Sequence, residues 1–124
     1  MSKILVIDDS EFFREQMHIL ATELDHVCVT AGNGREALDL LKTENDFDLI
    51  ITDIFMPEMD GIETIEQLVI KYPDTRIIAV SAGGLGMAGA GMLEIASGLG
   101  ADAVLNKPFG SADFTKVVTE VLAA

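Results

Sequence analysis

Apolar and polar positions along this chain alternate between two rhythms. Lys3–Asp8 (KILVID) is a short, branched apolar run ending on acids, the pattern of a buried strand. From Ser10 to Asp25 the apolar residues Phe13, Met17, Leu20 and Leu24 recur at helical spacing. His26–Ala31 reads as a second strand. Asn33, with Glu36 three residues on, marks a helix start, and Ala37, Leu38, Leu40 and Leu41 form its apolar stripe. Asp48–Thr52 is a third strand closed by Asp53. Asp60-Gly61 opens a helix with Ile62, Ile65, Leu68 and Val69 inward, and Pro73 stops it. Arg76–Val80 is a fourth strand, part of Met87–Leu99 a fourth helix, and Ala103–Leu105 a brief fifth strand. Phe114, Val117, Val118, Val121 and Leu122 give the stripe of the last helix.

Five strands alternating with five helices predict a doubly wound α/β domain. One parallel sheet lies under helices on both faces, with right-handed crossovers. All of residues 1–124 fit one such domain, with no output domain expected. Ligands of such sheets bind beyond the carboxyl ends of the strands, so the chemistry is expected there.

Composition narrows the function. Hydrophobic residues make up 49% of the chain, enough for a core and too many for intrinsic disorder. The net charge of −13, with Lys and Arg scattered singly, excludes a phosphate-backbone binder and opposes anionic membrane surfaces. The lone Cys28 fits a reducing compartment, and the N-terminus lacks a signal-peptide pattern. A cytoplasmic monomer with protein partners is therefore expected.

The strand ends carry Asp8-Asp9, Asp53, Ser81 and Asn106-Lys107-Pro108. Three carboxylates on one rim repel each other unless a cation joins them, and an all-oxygen set suits Mg²⁺. A carboxylate beside Mg²⁺ can attack a phosphoryl group, a reaction governed by positioning and charge neutralisation. Lys107 can neutralise phosphoryl oxygens and the Ser81 hydroxyl can hydrogen-bond another.

With V-I-D-D-S at 6–10, D-I-F-M-P-E-M-D-G at 53–61, A-V-S-A at 79–82 and L-N-K-P-F at 105–109, the chain resembles a response-regulator receiver domain of two-component signalling along nearly its whole length. The resemblance implies a flavodoxin-like sheet in the order 2-1-3-4-5. It also implies that Asp53 is the phosphoacceptor, Lys107 the phosphoryl-binding cation and Ser81 the switch hydroxyl. Asp9, Asp53 and the main-chain carbonyl of Phe55 would bind Mg²⁺, with Asp8 holding the ion mainly through water. A cis Lys107–Pro108 bond is expected. The donor would be a histidine kinase or histidine phosphotransfer protein, and the output a downstream protein contact or onward phosphotransfer. The helix within 87–99, the fifth strand and the last helix would form the output face, with the first helix near the donor. Such a protein is a switch, not an enzyme.

Other readings compete. An Asp-nucleophile phosphatase would carry a second acid two residues after Asp53, where Phe55 stands. A degenerate receiver acting only as a binding module would lack part of the set that is complete here. Gly84–Gly89 satisfies G-x-G-x-x-G, but the following strand ends in Asn106-Lys107 rather than an acid, which argues against a dinucleotide. His18 and His26 have no partner at ligand spacing, and Cys28 between two valines reads as a small core residue.

Two features depart from the family. Residues 81–91 hold five glycines, predicting a mobile loop and a late-starting helix. Val104 stands where many receivers place an aromatic ring, so movement of Ser81 would pull on the glycine loop instead. Phe55 and Gly83 flank the path of attacking water in the family, which predicts slow autodephosphorylation.

Overall fold

β-branched and aliphatic runs form the sheet of this protein, here described from a computed structural model that covers residues 1–54, 61–81 and 98–124. The strands are β1 (Lys3–Ile7), β2 (Val27–Ala31), β3 (Leu49–Asp53), β4 (Arg76–Ser81) and β5 (Ala103–Asn106). All pair in parallel, in the order β2-β1-β3-β4-β5, as the resemblance implied. The described residues hold four helices: α1 (Glu11–Glu23), α2 (Gly34–Leu41), α3 (Gly61–Lys71) and α4 (Ser111–Ala123). The further helix expected within 87–99 lies outside the described residues except for Gly98 and Leu99, which are helical.

Alternation along each strand divides the core between two faces. Ile4 and Val6 of β1, Leu49 and Ile51 of β3, and Ile78 and Val80 of β4 pack with Met17 and Ala21 of α1 and Phe114, Val118 and Val121 of α4. Leu5, Ile7, Ile50, Ile77 and Ala79 pack with Ala37, Leu38 and Leu41 of α2 and Ile65 and Leu68 of α3. Both faces are dry, which explains why the strands read as continuous apolar runs rather than alternating ones. Full burial of each such side chain contributes about 1.5–3 kcal/mol.

The helix starts follow their local chemistry. The Ser10 Oγ accepts from the Phe13 N–H at 3.4 Å, and the Asn33 Oδ1 from the Glu36 N–H at 2.8 Å. The Glu36 carboxylate reaches back to the Gly32 N–H at 3.0 Å, one residue earlier than a standard capping box. After Gly98-Leu99, Gly100 adopts φ +117°, and a Cβ there would lie 2.9 Å from a Val69 methyl. Glycine therefore lets this turn sit against α3.

Two aspartates extend the sheet at its amino end. The Asp48 N–H donates to the Lys3 carbonyl at 2.8 Å while its carboxylate accepts from the Lys3 N–H at 2.9 Å. Asp102 does the same to Ile77, at 2.7 and 2.8 Å. Each side chain supplies the acceptor that a longer ladder would have provided. At the same end the Arg76 guanidinium donates to the Val121 carbonyl at 2.6 Å and to the Ala124 carbonyl, closing the C-terminal turn of α4 where cations are favoured.

Candidate functional site

The opposite, carboxyl end of the sheet gathers the residues singled out from the sequence. Asp8 follows β1 and continues its ladder, its N–H donating to the Ala31 carbonyl at 3.1 Å. Its side chain is wholly buried. The Ser10 N–H donates to Asp8 Oδ1 at 2.9 Å, and the Arg14 guanidinium donates to the Asp8 carbonyl at 2.8 Å. The start of α1 is thereby tied to this carboxylate. Asp53 ends β3 and is also buried. Ser81 ends β4, and its carbonyl accepts from the Lys107 N–H at 2.7 Å. That bond carries the β4–β5 pairing one residue past Asn106 and brings Lys107 to the same rim. The Lys107–Pro108 bond is cis, as expected.

The Lys107 ammonium lies 2.7 Å from Asp8 Oδ2 and 2.9 Å from Asp53 Oδ2. Its side chain is only 9% exposed. Oxygens of Asp8, Asp9 and Asp53 fall within 4.8 Å of one another, with Asp9 on the exposed side. Burial raises the Asp8 pKa above its ordinary value; hydrogen bonds from Lys107 and Ser10 oppose the rise without cancelling it, and the Asp53 charge adds to it. For Lys107 burial works against the charged form, but the hydrogen bonds to Asp53 and Asp8 outweigh it and hold its pKa above the ordinary value. One ammonium thus serves a site with more negative charge than it can balance. An acidic oxygen cluster of this kind fits a hard divalent cation.

The Ser81 hydroxyl is buried with no hydrogen-bond partner among the described residues. Leaving such a group unpaired costs about 1–3 kcal/mol. Ser81 ends the strand beside the one that ends in Asp53, which places its hydroxyl at the same rim.

Phe55 lies outside the described residues, so its carbonyl, expected as a metal ligand, is not placed. Gly83, the glycines of 83–91 and the G-x-G-x-x-G at 84–89 lie outside them as well. Val104 is described and packs, half-buried, against the cluster beneath α2 and α3. The His26 Nδ1 accepts from the Ser2 N–H at 3.0 Å, a structural role. Cys28 is half-buried, and desolvation pushes its thiol up to about 11, leaving it inert at neutral pH. No helix among the described residues is long and apolar enough to cross a membrane.

Three contacts of the site were not legible in the sequence. They are the Ser10 N–H on Asp8, the Arg14 guanidinium on the Asp8 carbonyl, and the face of the Phe13 ring, whose centroid is 4.1 Å from the Lys107 nitrogen. Helical spacing marked Phe13 as an inward position, and nothing in a one-dimensional pattern shows that the inward neighbour is a lysine 94 residues later.

Comparison with known proteins agrees with this geometry. A family model described as "Response regulator receiver domain" matches residues 4–119. The chemotaxis protein CheY of Listeria monocytogenes is 36% identical over 110 residues, 88% of this chain and 88% of that protein. The probable C4-dicarboxylate response regulator DctR of Bacillus subtilis is 38% identical over 82 residues, but the match spans only 36% of that longer protein. Among solved structures, the Vibrio cholerae chemotaxis protein CheY4 superposes with a TM-score of 0.86 at 28% identity, covering 98% of both chains.

Proposed function

The chain belongs to the response-regulator receiver family, and from that premise we propose that Asp53 accepts a phosphoryl group from a partner's phosphohistidine in a Mg²⁺-dependent step. One observation carries the proposal: a buried acid, Asp53, is held by Lys107 inside a three-carboxylate cluster, with a buried Ser81 hydroxyl that has no partner among the described residues on the neighbouring strand end.

In the transfer an Asp53 carboxylate oxygen forms the new O–P bond as the N–P bond of the donor breaks, and the leaving imidazole takes up a proton. Mg²⁺ would be held by Asp9 and Asp53 directly and by Asp8 mainly through water, with the Phe55 carbonyl as a further ligand. The ion would neutralise charge on the phosphoryl oxygens. Lys107, already at hydrogen-bond distance from Asp53, supplies the second positive charge. Ser81 donates to a phosphoryl oxygen and so satisfies its own buried hydroxyl. A buried donor that gains a strong acceptor in one state only supplies a differential free energy, the requirement for shifting a two-state equilibrium.

The product is a signal, read by a downstream protein or passed on by further phosphotransfer. A histidine kinase or histidine phosphotransfer protein is the donor, and the acidic surface supports protein rather than nucleic-acid partners. We place the protein in the cytoplasm as a monomeric switch, a reading supported by its lone cysteine and by its similarity to CheY.

Incubation with Mg²⁺ and a small phosphodonor, followed by intact mass, tests the assignment. Wild type should gain one phosphoryl group and Asp53→Asn none. A gain that survives Asp53→Asn would place the acceptor elsewhere. No gain in either protein would leave a binding module, and continuous phosphate release would indicate a phosphatase.

A further inference from the structure

We propose that Phe13 is a positioning residue for Lys107, using the face of its ring as the third contact of the buried ammonium. Two directions around the ammonium are taken by Asp8 Oδ2 and Asp53 Oδ2. The Phe13 centroid, 4.1 Å from the nitrogen, lies well inside the range of about 6 Å over which a ring attracts a cation. The Lys107 side chain is nearly enclosed, so water competes little for that contact.

Phe13 is itself held at three points. Its backbone N–H donates to the Ser10 Oγ, in the same capping turn whose Ser10 N–H binds Asp8. Phe109, two residues beyond Lys107, leans on it at 6.3 Å, and Phe109 in turn stacks at 6.0 Å on Phe114, which is fully buried in α4. Phe12 meets Phe13 edge-on at 5.3 Å and is 71% exposed. Phe13 thus joins the start of α1 to the segment after β5, with Lys107 between them.

This arrangement answers a problem posed by the site. A divalent cation at the carboxylates competes with Lys107 for Asp8 and Asp53. An ammonium that lost those bonds with nothing else to hold it would be free to swing to solvent. A π face has no charge for the divalent cation to capture, so it keeps hold of Lys107 while the carboxylates change partners. The role rests on the phosphoacceptor reading of Asp53, but the contact itself is measurable without any phosphoryl group.

The test compares Phe13→Leu and Phe13→Met, which keep apolar volume, with Phe13→Trp, which keeps a ring. In wild type the Lys107 Hε protons should show upfield ring-current shifts by NMR. These shifts should vanish in the Leu and Met variants and persist in Phe13→Trp. Binding of beryllofluoride with Mg²⁺, followed by amide shifts, should weaken about fivefold in the Leu and Met variants and recover in Phe13→Trp. Having two aliphatic variants guards against one failing to fold. Unshifted Lys107 protons in wild type, or wild-type beryllofluoride affinity in either folded aliphatic variant, would overturn the proposal. Absence of any Asp53-dependent mass gain in wild type would instead overturn the phosphoacceptor reading, and the Lys107 shifts would still decide whether Phe13 holds the ammonium.

Discussion

Both ends of the sheet carry a lysine set between two carboxylates and beside a phenylalanine ring. At the amino end Lys3 lies 2.5 Å from Glu44 and 2.7 Å from Asp46, with its nitrogen 4.8 Å from the centre of the Phe47 ring. At the carboxyl end Lys107 lies 2.7 Å from Asp8 and 2.9 Å from Asp53, with Phe13 at 4.1 Å. The chemical groups match, and their surroundings do not. Asp46 is 72% exposed, whereas Asp8 is fully enclosed and Asp53 nearly so. In water the amino-end cluster is screened and contributes little. The same cluster in a dry pocket has unbalanced negative charge that a cation or a proton relieves. Reactivity follows from burial, not from the list of residues.

Removing the two lysines should break the comparison most sharply. Lys107→Met leaves Asp8 and Asp53 without their cation and should destabilise the metal-free protein by about 3 kcal/mol at pH 7, read by urea unfolding in EDTA. Mg²⁺ should recover part of that loss, since a ligand that binds only the folded state adds stability by mass action. A loss too small to measure would mean that the pocket does not depend on Lys107 for its charge balance.

A smaller effect, of opposite sign, is expected at Asp8. Its folded pKa lies above the ordinary value of 3.8, so the folded protein holds this proton more tightly than the unfolded chain does. Stability from that source is fully present below about pH 3.8 and is lost as the pH rises through the folded value. Asp8→Asn removes the loss. In EDTA at pH 7 it should be at least as stable as wild type, and Mg²⁺ should raise its melting midpoint less. An Asp8→Asn protein clearly weaker than wild type under those conditions would show that the Lys107 pair outweighs desolvation.

The least effect belongs to the amino end. The Lys3 pKa is raised by its hydrogen bonds to Asp46 and Glu44. Its contribution is therefore present below the ordinary value of 10.5 and is lost as the pH rises through the folded value. Lys3→Met should leave the melting midpoint close to wild type at pH 7, with any difference disappearing in high salt. A drop rivalling that of Lys107→Met would collapse the distinction between the two clusters.

Much of the architecture was legible because local rules and tertiary structure agree. The apolar runs at Lys3, Val27, Leu49, Arg76 and Ala103 are strands, Asn33 caps its helix, and α3 ends at Lys71 ahead of Pro73. The rim acids, Ser81 and Lys107 were found because each sits directly after an apolar run, and parallel strands carry such positions to one end. Their pairing was less visible. That Lys107 reaches both Asp8 and Asp53, and that Phe13 faces it, depends on bringing together segments from α1, β1, β3 and the end of β5. The second use of acids, in which Asp48 and Asp102 complete the ladder beside Lys3 and Ile77, has no signature in the apolar pattern.

The sequence by itself determined which segments are strands and helices and which residues end up at the carboxyl rim. Periodicity and strand direction are local properties, readable one segment at a time. Only the tertiary structure decided which of the 21 acids lose their water. Desolvation depends on what covers a side chain, and at Asp8 and Asp53 that cover comes from residues distant in the chain. The same Lys–carboxylate motif is thus a screened surface contact at Lys3 and a charged pocket at Lys107.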